Sequence, residues 1–310
     1  MPRALTISRF LHSAKWHSER NKGLQPLVKS FKNRFGIATR PAWLMNNTDP
    51  IEALRLNYIE YFRLFHGQHG IRTHVDQETA WIVANGPPGN HILRSKLPAA
   101  SAEDKIDALI SRISALTGGI RWLIFPQDRP RDLRARLTQR GLSTGRGDLW
   151  MFRQLQQIPD DRHHPQLCIS SVQDMPGLRA WWTASAQGFG TTQRAAQPWY
   201  DAFRRRGFGP KTNVTNFIGH LDRKAVTTAT LILAHSMAGI YDLSTVPDYR
   251  GQGLASALVT HLLQQARERG YSHAGLQTGD AEQLYQSLGF ETGFQEEEFF
   301  WAADDPEEKR

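Results

Sequence analysis

The segment Arg250-Gly251-Gln252-Gly253-Leu254-Ala255 is the part of this chain best suited to holding a diphosphate. Such a group needs several backbone N–H donors converging on it. A helix start supplies unpaired N–H groups and a partial positive charge, glycines let the main chain approach without a Cβ, and Arg250 adds a cation. A tight strand-to-helix turn with incidental glycines has the same composition, so the hexapeptide alone leaves both readings open. Asp242 is a second residue with chemical potential. An acid inside an otherwise apolar strand calls for a function or a partner, unless it faces solvent on an alternating strand. His220, His235 and Glu298 are further candidates for proton transfer. His163 and His164 are adjacent but have no carboxylate, Cys or His at helical spacing, so no metal site is expected.

The elements around these residues follow from periodicity. Residues 214–221 and 225–234 are β-rich runs separated by Asp222-Arg223-Lys224, which predicts a hairpin. A third run at 239–246 ends at Pro247. A loop then leads into a helix over 254–268, with Leu254, Ala257, Leu258, Leu262 and Ala266 at helical spacing, and Gly270 stops it. A strand near 273–277, a short helix over 281–288 and a last strand near 296–302 complete the order. Upstream, residues 177–206 hold two helices whose Trp181, Trp182, Phe189, Trp199, Tyr200 and Phe203 read as core.

Residues 141–145 (GLSTG) parallel 289–293 (GFETG) at an offset of 148, and each is followed by an aromatic patch, which suggests an internal duplication. An amphipathic helix over 104–116 stands about where the 254–268 helix stands in the second copy. The position matching the Arg250 loop is Ser101-Ala102-Glu103-Asp104-Lys105, without glycine and with two acids that repel phosphate. The expected organisation is a basic extension over 1–42, a degenerate unit over 43–153, a linker over 154–166 and an intact unit over 167–310.

Arg-x-x-Gly-x-Ala after Val246-Pro247, followed about thirty residues later by Leu284-Tyr285-Gln286-Ser287-Leu288-Gly289-Phe290, resembles the coenzyme A loop and C-terminal tyrosine helix of the GNAT superfamily. The resemblance covers roughly residues 168–302. It implies an α/β fold with a mixed, mostly antiparallel sheet flanked by helices in each of two GNAT-like units. It also implies two central strands that splay to admit the pantetheine arm. By this resemblance the backbone of Leu243, Ser244, Thr245 and Val246 would pair with pantetheine amides. Arg250, Gly251, Gln252, Gly253, Leu254, Ala255 and Ser256 would hold the pyrophosphate. Tyr285 would protonate or hydrogen-bond the departing thiolate. Thr278 stands where many family members carry Asn. The implied co-substrate is acetyl-CoA or another acyl-CoA, and Asp242 is the first candidate for the base that deprotonates a primary amine.

Charge bears on the acceptor. Residues 1–48 hold nine Lys or Arg and one acid, and the rest of the chain is balanced. That arm could hold an anionic partner or remain a solvated extension. A neutral body whose acidic runs are short, Glu296-Glu297-Glu298 among them, favours an anionic or peptide-like amine acceptor over a polycation. One cysteine, Cys168, excludes a disulfide framework, and no apolar run reaches membrane-spanning length, so a cytoplasmic location is expected. The function expected is direct acyl transfer from coenzyme A to a small-molecule or peptide amine. A non-catalytic acyl-CoA sensor or scaffold is the alternative.

Overall fold

Asp49 opens the first helix. Its side chain accepts from Ile51 N, and Pro50 occupies the first turn, where a missing N–H costs nothing. This helix, α1 (Pro50–Arg63), is followed by a meander of β1 (Ile71–Val75), β2 (Thr79–Ala84) and β3 (His91–Ser95). Next come α2 (Ala102–Ser114), β4 (Gly119–Ile124), α3 (Leu133–Gln139) and β5 (Ser143–Gln154). The second half runs β6 (Cys168–Ser171), α4 (Met175–Gly188), α5 (Gln193–Arg206), β7 (Val214–Leu221), β8 (Lys224–Ala234) and β9 (Met237–Thr245). It finishes with α6 (Leu254–Glu268), β10 (His273–Thr278), α7 (Glu282–Ser287) and β11 (Glu291–Ala302). The structure is a computed structural model that describes residues 49–114, 119–158, 162–209 and 212–302. The basic segment 1–48 lies outside them.

The strands of both halves join one sheet in the order β1-β2-β3-β4-β11-β5-β10-β9-β8-β7-β6. Only β3–β4 and β9–β10 are parallel among these pairs. β11 lies between β4 and β5, with Phe299 opposite Trp122 on one side and Thr144 on the other. β5 in turn pairs with β10, from Leu149↔Thr278 to Gln154↔His273. Each half is thus completed by a strand of the other.

Both parallel pairs are forks. β9 and β10 pair only at Ala238↔Ala274 and Gly239↔Gly275, after which β9 follows β8 and β10 follows β5. β3 and β4 likewise pair only at His91↔Arg121 and Ile92↔Trp122. In this first fork the gap is filled by protein. Asp128 accepts from Ser95 N at 3.0 Å and from Phe125 N at 2.9 Å, Trp122 Nε1 donates to Ser95 Oγ at 2.8 Å, and Arg129 N donates to Ser95 O at 2.8 Å. Arg55, fully buried, pairs with Asp128 at 2.6 Å. The splay expected from the family resemblance is therefore present twice, and in the first case side chains of Asp128, Trp122 and Arg55 bridge it.

Alternation along the strands sorts the interior into two faces. Leu149, Met151, Ala274, Leu276 and Tyr285 pack with α6, whereas Trp150, Phe152 and Tyr241 pack with α1, α4 and α5. Helix α1 sits on the closed end of the β9–β10 fork. A Cβ on Gly275 would stand 2.7 Å from Leu54 Cδ2, so the helix approaches because that residue is glycine. One turn on, Asn57 is fully buried. Its Nδ2 donates to Ile232 O, Ala234 O and Met237 O, and its Oδ1 accepts from Tyr241 O–H at 2.8 Å. Removing this amide strands buried carbonyls and a phenol, so Asn57→Ala should destabilise the fold by about 2–4 kcal/mol in urea titrations.

Candidate active site

β9 carries one residue too many for its partner. Thr228 faces Ser244 and Thr230 faces Tyr241, so Asp242 and Leu243 together oppose Ala229. Asp242 takes a left-handed conformation, φ 52°, which acidic and amide side chains tolerate better than most. The bulge turns its carboxylate inward. Tyr61 O–H donates to Oδ1 at 2.6 Å and Thr230 O–H to Oδ2 at 2.7 Å. Trp199 Nε1 in turn donates to Tyr61 at 2.5 Å, and Asn216 Nδ2 to Thr230 at 2.9 Å. Asp242 is buried. Loss of hydration pushes its pKa up to about 6, against the opposing pull of the hydrogen bonds from Tyr61 and Thr230. A carboxylate in this state can accept a proton near neutrality. The solvent-facing alternative for Asp242 does not hold.

Downstream, the chain makes a single turn over Pro247–Tyr249 and enters α6. Gly253 is the N-cap at φ 79°, no side chain caps the helix, and its first turn has no acid. Gly251 is also left-handed at φ 76°, and the space where either Cβ would stand is empty to 4 Å. The first intrahelical bond runs from Ala257 N to Gly253 O, so the N–H groups of Leu254, Ala255 and Ser256 have no partner within the helix. These residues, with the open β9–β10 slot, fit a diphosphate carried on an extended arm. Arg250 also braces the loop. Its Nε donates to Thr245 O at 3.1 Å and its NH2 to Gly188 O at 2.6 Å, so part of its guanidinium pins the loop to α4.

Residues 177–290 match the model of the family described as Acetyltransferase (GNAT) family. They form a GNAT domain. Over 67 residues the chain is 45% identical to N-acetyltransferase 8B of Homo sapiens, which is 20% of this chain and 30% of that protein. N-acetyltransferase 8 of Rattus norvegicus is 45% identical over 56 residues, 17% of this chain and 25% of that protein. The chain thus spans less than a third of these curated relatives. The fold is shared over greater length. A GCN5-related N-acetyltransferase from Kribbella flavida superposes with a TM-score of 0.59 at 17% identity, covering 82% of this chain and 95% of that one. A tandem GNAT protein from the clavulanic acid biosynthesis pathway gives 0.56 at 10% identity, covering 84% and 97%.

Within the GNAT domain, Tyr285 is buried against Phe290 at 5.8 Å, and burial pushes its phenol pKa upward, so it stays protonated at neutral pH. It belongs to the α6 face of the sheet and Asp242 to the α1 face, with the fork between them. Thr278 Oγ1 accepts from Ala281 N at 2.9 Å; this hydroxyl shapes the turn into α7 and keeps only its hydrogen to give. Ser244 and Thr245 face Thr228 and Thr227 on β8. Leu243 packs on the α6 side, and Val246 N bonds Val226 O. Of the other proton-transfer candidates, His220 opposes Cys168 on the β6–β7 pair. His235 lies in the β8–β9 turn 3.4 Å from Glu60, and Glu298 pairs with Arg121.

Tyr61 and Trp199 were not foreseeable as partners of Asp242. The only signal is the spacing Tyr58, Tyr61, Phe62, Phe65, an aromatic face without an assigned neighbour.

A buried acid with a raised pKa binds its proton more tightly in the folded than in the unfolded chain. Its contribution to stability is therefore full below about pH 4 and is lost as pH rises through about 6. Asp242→Asn carries no such penalty. Its stability relative to wild type should rise by about 2–3 kcal/mol between about pH 4 and about pH 7, measured by denaturant titration across that range.

Proposed function

We propose that the chain is an acyl-CoA N-acyltransferase that moves an acetyl or similar acyl group to a primary amine without a covalent enzyme intermediate. The observation that carries this reading is the open fork between β9 and β10, with the uncapped α6 start beyond its β9 edge. Coenzyme A brings the acyl group as a thioester. Leu243 to Val246 offer backbone groups along the slot to an amide-bearing arm, in the manner of strand addition. The N–H groups from Gly251 to Ser256, Gln252 included, hold the pyrophosphate, with Arg250 bracing the loop. Thr278 is placed by this reading beside the cofactor arm.

Asp242 receives the proton from the acceptor ammonium, directly or through water, since only a neutral amine attacks. Tyr285, on the other face, gives a hydrogen bond or its proton to the sulfur as the C–S bond breaks. The first half has a structural role here, because α1 delivers Tyr61 to Asp242.

Purified protein incubated with acetyl-CoA and a mixed pool of amines should release free thiol above background. Tight coenzyme A binding with no release from any amine would replace the enzyme by a sensor. Tyr285→Phe should lower kcat by about a hundredfold with little change in coenzyme A affinity. Gly253→Val forces a β-branched residue into φ 79° and should weaken coenzyme A binding at least tenfold by calorimetry, about 1.4 kcal/mol or more.

A further inference from the structure

Asp242 is the end point of two hydrogen-bond chains, and both run in one direction. On one side Trp199 of α5 gives its indole hydrogen to the Tyr61 oxygen at 2.5 Å, and Tyr61 gives its own hydrogen to Asp242 Oδ1 at 2.6 Å. On the other, Asn216 of β7 gives an amide hydrogen to Thr230 Oγ1 at 2.9 Å, and Thr230 gives its hydroxyl hydrogen to Oδ2 at 2.7 Å. An indole nitrogen can only donate, so the phenol oxygen receives from Trp199 and the phenol hydrogen is left for Asp242. All five residues are buried, so little water competes for these bonds.

Each bond makes the next hydrogen a better one to give. Burial and the Asp242 charge raise the Tyr61 phenol pKa, and the bond from Trp199 acts against them. Burial likewise raises the pKa of Asp242, and the bonds from Tyr61 and Thr230 draw it back. The titratable groups packed around this carboxylate are phenols: Tyr61, Tyr241 stacked on it at 4.6 Å, and Tyr58 at 6.3 Å along α1. The charged side chains of the same elements are engaged or exposed elsewhere. Glu60 pairs with Arg63, Asp201 with Arg204 and Arg55 with Asp128, while Arg179 of α4 and Lys224 of β8 are exposed.

We infer that Tyr61 and Trp199 are positioning residues, which hold Asp242 as a proton acceptor and bar its proton from leaving through the fold. The inference rests on the acyl-transfer reading. In that reaction an ammonium N–H breaks, an O–H forms on Asp242, and the electron pair left on nitrogen attacks the thioester carbon. Neither chain can pass the proton onward, because an indole and a carboxamide neither take one up nor release one near neutral pH. The Tyr61 oxygen already receives one hydrogen and aims its own at Oδ1, so the new proton has no place between the two residues. It leaves Asp242 by the route it came, through the slot.

Tyr61→Phe and Trp199→Phe each remove one hydrogen from this chain and keep a ring in place. The infrared band of the protonated Asp242 carboxyl, identified by its loss in Asp242→Asn, follows the titration without any substrate. Its midpoint should move to higher pH by about one unit in Tyr61→Phe and by about half a unit in Trp199→Phe, because losing a donor disfavours the anion. With acetyl-CoA and the mixed amine pool kept below saturation, the acid limb of thiol release should move with the midpoint, so that each variant loses more rate below the limb than above it. A purely structural role would lower the rate at every pH and leave the midpoint in place. An unmoved midpoint in either variant overturns the proposal. So does an acid limb that stays put while the midpoint moves, and acyl transfer then stands with another base. If Trp199→Phe does not fold by circular dichroism, Thr230→Val removes the donor at Oδ2 instead, and an unmoved midpoint there overturns the proposal equally. A midpoint that moves as expected in a protein that releases no thiol from any amine keeps the network and sinks acyl transfer.

Discussion

At Asp242 the main chain of β9 takes on an extra residue, and most of what distinguishes the second half follows from that step. A strand that stayed in register with β8 would run on beside β10 and close the sheet. The bulge shifts its direction, and the shift persists because the inward-turned carboxylate is held at both oxygens, by Tyr61 and by Thr230. Left-handed backbone and buried acid are each unfavourable alone. Together they hold a slot open through the middle of an eleven-stranded sheet.

The first fork shows the alternative outcome of the same architecture. There β3 and β4 also part after two residue pairs, but Asp128 takes N–H groups from both sides and Arg55 neutralises it from beneath. The turn after each strand is comparable, Leu97-Pro98 in one half and Val246-Pro247 in the other. The glycine-bearing loop that precedes α6 has no counterpart before α2, whose first turn carries Glu103 and Asp104. One half has spent its gap on its own stability, and its helix α1 buttresses the gap of the other.

Much of the second half was legible because its signals are local. The helix at 254–268 and the β7–β8 hairpin are written in periodicity and turn residues, and the structure reproduces both within a residue. The loop glycines announced themselves by type. What could not be read is whatever depends on which segments meet. Nothing in the neighbourhood of Asp242 names Tyr61, 181 positions away, as its partner. The run Glu296–Glu298 gives no hint that β11 will lie against β5, or that the start of β11 reaches back to Glu291. The charge of Arg250 was visible in the sequence, whereas its hydrogen bonds to Thr245 and Gly188 arise from the packing of α4.

The position of β11 also has a temporal side. During synthesis β4 and β5 emerge long before the strand that must lie between them, so the early half leaves the ribosome with an unfilled seam and two exposed strand edges. β5 finds its other neighbour, β10, only when that segment has also been made. Neither half can therefore close its hydrogen-bond ladder as an autonomous unit, and maturation of the slot is coupled to completion of the whole sheet. A chain cut between the halves would yield two incomplete pieces rather than one working domain and one spare.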